Sequence, residues 1–106
     1  MSLTVSMVGD AYVITVGGEV DMDNVAPLSQ ALQPKTLTGG GAVVLDLSGI
    51  RFADSTTVNV ILRAHTDLAT RLRLAALSDN IERLLELVGV REMLPVYDTV
   101  DDALAA

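Results

Sequence analysis

Residues 42–47 read Ala42-Val43-Val44-Leu45-Asp46-Leu47. This almost uninterrupted apolar run lacks the polar alternation of a strand with one wet face. A strand buried on both faces reads this way, which makes it a central strand of a parallel sheet. Parallel neighbours require crossover segments, usually helices, and the downstream chain supplies them. After Asp54, Val58, Ile61, Leu62, His65 and Leu68 recur at helical spacing. Arg71 to Leu77 (RLRLAAL) reads as the next strand. A further helix starts near Asp79, with Glu82 three residues on, and is expected to bury Ile81, Leu84, Leu85 and Val88 before Gly89 stops it. Pro95-Val96-Tyr97 suits a short edge strand, and Thr99 can cap a last helix with Val100, Ala103 and Leu104 facing in.

Upstream of the central run, residues 3–8 and 11–16 are two β-rich segments, with Gly9-Asp10 between them as a hairpin turn. Gly17-Gly18 is expected to close the second. The chain then turns acidic at Glu19, Asp21 and Asp23, and Asp23 is placed to cap a helix carrying Val25, Leu28 and Leu32, ended by Pro34. Gly39-Gly40-Gly41 reads as a flexible turn. The expected order is therefore β-β-α-β-α-β-α-β-α. It describes one α/β domain over residues 1–106, with a mostly parallel central sheet, an antiparallel N-terminal hairpin and about four helices.

Composition narrows the function. The chain has 106 residues, 7 Lys+Arg against 14 Asp+Glu, a net charge of −7, one His and no Cys. A domain of this size buries roughly 65% of the surface of its unfolded chain, enough for one core. Lys35 is the only lysine, and an acidic chain has no face for nucleic acid or for an anionic membrane surface. Without cysteine there is neither disulfide nor thiolate chemistry. The N-terminus shows no targeting pattern, and the apolar runs are far shorter than the ~20 residues of a membrane span. A cytoplasmic location without membrane insertion is expected.

The chemistry-bearing stretch is Asp54-Ser55-Thr56-Thr57, an acid followed by three hydroxyls where a loop enters a helix. An N-cap accounts for Asp54 but not for three successive hydroxyls. A plain cap remains one reading of the stretch, and a phosphorylation site is the functional reading beside it, because helix N-terminal amides favour added negative charge. A serine hydrolase is disfavoured: His65 lies ten residues after Ser55 on the same helix, roughly 15 Å along its axis. Gly39-Gly40-Gly41 precedes a strand and lacks the lysine of a phosphate-binding loop. Glu19, Asp21 and Asp23 lack the twelve-residue pattern of a calcium loop and read as a solvated acidic rim facing a partner. No catalytic residue, metal or cofactor is expected, and the chain is read as a non-enzyme.

Gly18-Glu19-Val20-Asp21, Val44-Leu45-Asp46-Leu47-Ser48-Gly49 and Phe52-Ala53-Asp54-Ser55-Thr56 together resemble the successive motifs of the STAS domain. This is the domain of sulphate transporters and bacterial anti-sigma-factor antagonists. Asn80 to Ala106 is also similar, so the resemblance covers nearly the whole chain. It implies a transcription regulator working by partner switching. Such a protein binds an anti-sigma factor with serine-kinase activity, releases the sigma factor, and is switched off by phosphorylation. The implied acceptor is Ser55, with Thr56 and Thr57 as alternatives; Asp21, Asp23, Asp54, Ser55, Thr56 and Thr57 form the implied partner-binding set. A phosphatase is a further implied partner. Typical members carry glycine where this chain has Thr57, and a β-branched side chain there is expected to crowd the kinase backbone. That departure favours the alternative, a non-phosphorylated STAS binding subunit of a transport or signalling complex.

Overall fold

The computed structural model describes all residues from Met1 to Ala106. Strand β1 (Ser2–Val8) turns at Gly9-Asp10 into β2 (Ala11–Val20), and Gly9 takes a φ of 62° that side chains with a Cβ avoid. Then follow α1 (Ala26–Ala31), β3 (Val43–Ala53), α2 (Ser55–Leu68), β4 (Leu72–Ala75), α3 (Asp79–Val88), β5 (Val96–Tyr97) and α4 (Val100–Ala105). Single 3-10 turns at Ala69–Arg71 and Arg91–Met93 lead into β4 and β5. The strands lie in the order β1-β2-β3-β4-β5, the first pair antiparallel and the other three parallel. Element order and sheet class match the sequence reading.

Burial explains why 42–47 has its pattern. Val43, Leu45 and Leu47 join Ile14, Val16, Leu28, Ile61, Ile81 and Leu85 in the main core, on the face covered by α1, α2 and α3. Val44 points the other way, into a small cluster with Val13, Ala75 and Ala103, where α4 closes the sheet. Both faces of β3 are dry, as a central parallel strand requires.

Four local expectations need correction. Gly17-Gly18 does not close β2, which continues to Val20 beside an equally extended β3. The extension is irregular: Thr15 pairs with Asp46, Gly17 with Gly49, Gly18 with Ile50 and Glu19 with Phe52, so β3 twice carries an extra residue. Its inward set accordingly changes from Val43, Leu45 and Leu47 to Ile50. At the first irregularity the backbones touch, and a Cβ on Gly49 would come within 3.1 Å of the Gly17 Cα. Asp23 does not cap α1; the N-cap residue is Val25, which makes no side-chain cap, a proline stands in the first turn, and Asp21 holds the preceding loop together. In α3 the cap is Ser78, whose Oγ accepts from the Ile81 amide, and Val88 is half-exposed rather than buried. Gly89 ends that helix in the left-handed conformation.

The fourth correction concerns the glycine turn. Gly39 and Gly40 have open space around the position of a Cβ, but one on Gly41 would lie 2.1 Å from the Asp10 carbonyl oxygen. Gly41 is thus a close-approach residue that lets the chain entering β3 run against the hairpin turn. Gly41→Ala should destabilise the domain by about 1–3 kcal/mol, as overpacking does. Gly40→Ala should stay within about 0.5 kcal/mol of the parent. Urea unfolding of the two variants checks this, and equal midpoints would show that the contact yields freely.

Candidate functional site

Parallel pairing brings the carboxyl ends of β2, β3 and β4 to one edge of the sheet, where the turns into α1, α2 and α3 lie side by side. The turn after β3 is built by Asp54. Its backbone is extended and its Oδ1 accepts from the Thr56 amide at 3.0 Å, while its carbonyl accepts from the Thr57 amide at 3.1 Å. This is a side-chain N-cap, and it makes Ser55 the first residue of α2, with an exposed side chain. The loop-to-helix switch read at Asp54 is found where the sequence places it. Thr56 is half-buried.

Thr57 is elsewhere. It is fully buried, and its Oγ1 donates at 3.3 Å to the Val20 carbonyl at the end of β2. Thr57, Ile61, Ala64 and Leu68 form one inward stripe of α2. The expectation that Thr57 projects toward a partner, or accepts a phosphate, is therefore corrected: its hydroxyl is committed and no solvent reaches it. The crowding argument drawn from its β-branch falls with it. The sequence held the signal, since position 57 stands four residues before Ile61 on the apolar stripe.

The Thr57–Val20 hydrogen bond acts as a clamp that holds the turn after β2 beside the turn after β3. In that first turn Asp21 Oδ1 accepts from the Asp23 and Asn24 amides at 3.0 and 3.2 Å, the Asp21 amide donates to Asn24 Oδ1 at 3.0 Å, and Asn24 Nδ2 donates to the Glu19 carbonyl at 2.9 Å. Asp21 is thus half-buried and occupied in shaping its own loop. Asp23 is exposed and makes no ion pair. Between them Met22 is 74% exposed, and on the β3 extension Phe52 is 52% exposed. The third turn is tied in by Asn80, whose Nδ2 donates to the Arg51 carbonyl. The face therefore offers the exposed Ser55 hydroxyl beside the half-buried Thr56, an unpaired carboxylate at Asp23, a capping carboxylate at Asp54 and two large apolar side chains. Sequence reading missed Met22, Phe52, Asn24 and Asn80, because nothing local marks a side chain as exposed where two strands overrun their regular register.

His65 sits toward the far end of α2, half-buried as a packing residue. Its Nδ1 is enclosed without a hydrogen-bond partner, and its ring lines a cavity of about 770 Å³ with Leu72, Arg73, Leu94 and Tyr97. That cavity lies at the opposite end of the helix from Ser55, so the two side chains form no nucleophile–base pair.

The family model described as "Mlab, STAS domain" matches residues 3–95. An anti-sigma-B factor antagonist of Staphylococcus aureus is 30% identical over 90 residues, spanning 82% of this chain and 83% of that protein. Among solved structures, an anti-sigma factor antagonist from Mycobacterium paratuberculosis superposes with a TM-score of 0.82 at 28% identity, over 98% of this chain and 91% of its own. An anti-sigma-factor antagonist domain protein from Planctomyces limnophilus shares the fold, with a TM-score of 0.80 at 18% identity over 97% and 94% of the two chains.

The clamp is open to test by stability. Thr57→Val keeps the shape of the side chain but leaves the Val20 carbonyl without this donor, and should cost about 1–3 kcal/mol. Thr57→Gly should cost more, adding a lost buried side chain and about 1 kcal/mol of helix propensity. Asp54→Ala should cost about 1 kcal/mol as a lost cap. Urea unfolding reads all three. A Thr57→Val protein as stable as its parent would show that the Thr57–Val20 bond does not hold the two turns together.

Proposed function

Because the chain belongs to the STAS domain family, we propose that it is an anti-sigma-factor antagonist whose switch is Ser55. The observation that carries the reading is the placement of Ser55, exposed on the first residue of α2 by the Asp54 cap and flanked by the loop that carries Asp23. Proteins named as anti-sigma factor antagonists are similar to it over most of their length, one at 30% identity in sequence and one at 28% identity with the same fold. The partner in this reading is an anti-sigma factor with serine-kinase activity that docks on the carboxyl-end face, frees its sigma factor and phosphorylates the bound chain. Ser55 Oγ attacks the terminal phosphorus of ATP, its proton passes to a base on the kinase, and ADP departs. The chain itself supplies no catalytic group and works in the cytoplasm.

In this reading each residue has a role that the geometry supports. Asp23 offers an unpaired carboxylate to a basic group of the partner. Asp21 fixes the loop that presents it, and Asp54 fixes the turn that presents Ser55. Thr56, half-buried, is the alternative acceptor; Thr57 is not. Asp21, Asp23, Asp54, Ser55 and Thr56 are the proposed partner-facing set, with a phosphatase restoring the free hydroxyl. A second reading starts from membership of the STAS domain family alone. In it the same face docks a transport or signalling complex and Ser55 stays unmodified.

Two measurements separate the readings. Incubation with the cognate kinase and ATP should give one phosphopeptide containing Ser55, abolished by Ser55→Ala; no modification of the native chain would favour the second reading. In calorimetry with that kinase, Ser55→Ala should bind tightly and Ser55→Asp more weakly. Burying an unpaired charge at such a contact costs about 2–5 kcal/mol. That corresponds to about 30- to 3,000-fold in affinity. Equal affinities would contradict the switch.

A further inference from the structure

The two edges of the sheet are finished very differently. At one side β5 has only two residues, Val96 and Tyr97. At the other, β1 is seven residues long, reads Ser2-Leu3-Thr4-Val5-Ser6-Met7-Val8, and pairs with β2 in unbroken register from Ser2↔Gly17 to Val8↔Ala11. Natural edge strands are blunted by shortness, charge, proline, a bulge or a covering element. β1 has none of these. It carries no charged residue and no proline, and Val5, Met7 and Val8 are each 52% exposed. Alternate peptide groups along it point outward with no strand to meet them.

We propose that this edge pairs with β1 of a second copy of the chain, antiparallel about a two-fold axis at Val5, joining two five-stranded sheets into one of ten strands. The sequence of β1 is self-complementary in that register. Leu3 falls opposite Met7 of the second copy and Val5 opposite its own equivalent. All of these lie on the face that Val16, Ile14 and Tyr12 continue on β2. On the other face Thr4 falls opposite Ser6, a hydroxyl pair of the kind that stabilises cross-strand neighbours. A shift by one residue either way would set Val5 against Thr4 or Ser6 and turn the apolar faces of the two strands to opposite sides. Charge selects the same edge. Two copies at −7 each repel, and β1 lets them meet with no carboxylate in the contact. The pairing is separate from the function proposed above: Ser55 follows β3, two strands inward, and the antiparallel axis turns the two Ser55 faces toward opposite ends of the dimer.

A single strand pair is a small interface, so association is weak, and sedimentation of the full chain should move from monomer toward dimer between about 10 μM and about 1 mM. Val5→Lys places two ammonium groups against each other across the axis and should stay monomeric over that range, as should Val5→Glu. Mixed in equal amounts, the two variants should restore the dimer, because only the two-fold register sets position 5 opposite itself. Thermal melting of each variant within about 3 °C of the parent verifies the fold, as expected for a half-exposed site. In the parent, hydrogen exchange should slow with concentration at alternate amides of β1 only. A parent monomeric at all concentrations, a Val5→Lys variant that dimerises like the parent, or a mixture that stays monomeric would each overturn the proposal.

Discussion

Parallel pairing of β2, β3 and β4 is the constraint from which the rest of the molecule follows. Each parallel neighbour must be entered from the same end, so the chain has to return across a face of the sheet between strands. Those returns are α1 and α2, with α3 continuing the layer, and their apolar stripes bury one face of β3 while α4 buries the other. The same constraint gathers the turns after β2, β3 and β4 at one edge, because every such turn leaves a carboxyl end. The edge that carries Asp23 and Ser55 is thus a product of topology before any particular side chain is considered.

Two backbone devices refine that edge. The glycine contact at Gly17 and Gly49 lets β3 take in its extra residues without separating from β2, so both strands run on to Val20 and Ala53 instead of ending where the regular ladder stops. The Thr57 bond to the Val20 carbonyl then fixes the first turn of α2 against the end of β2. Register sets where the two turns start, and the clamp sets how they face each other. Asp54 adds orientation at the level of one residue, since the cap decides that Ser55, and not its neighbour, heads the helix.

The legible part of the sequence was the part governed by periodicity. The dense apolar pattern at 42–47, the helical spacing from Val58 to Leu68 and the hydroxyl cap at Thr99 are local signals of burial or capping. They yielded the element order, and Asp54 with Ser55 stood out as a helix start. What escaped were long-range backbone effects. Nothing near Gly17-Gly18 tells that a distant Gly49-Ile50 lies against it, so a pair of glycines read as a stop. Asp23 looked like a cap because capping is judged by spacing, whereas the loop is organised by Asp21 and Asn24 across four residues. Thr57 was grouped with its exposed neighbours because three hydroxyls in a row look alike on paper. Its helical phase with Ile61 and Leu68 sends it inward.

The burial of Thr57 also bears on how a charge at Ser55 would act. A phosphate on the first residue of α2 meets two opposing influences within the free domain. The helix N-terminus attracts it by about 0.3–1 kcal/mol, and the neighbouring Asp54 carboxylate repels it by a comparable, solvent-screened amount. Neither reaches the interior, because the residue that links this turn to the sheet is the uncharged, fully buried Thr57. The fold should therefore tolerate the modification almost unchanged. At a docked interface the balance differs, since a partner that excludes water removes the screening and leaves a desolvation penalty several times larger. A switch at Ser55 would act on binding while leaving stability nearly constant, and a buried clamp beneath an exposed hydroxyl is the arrangement that separates the two.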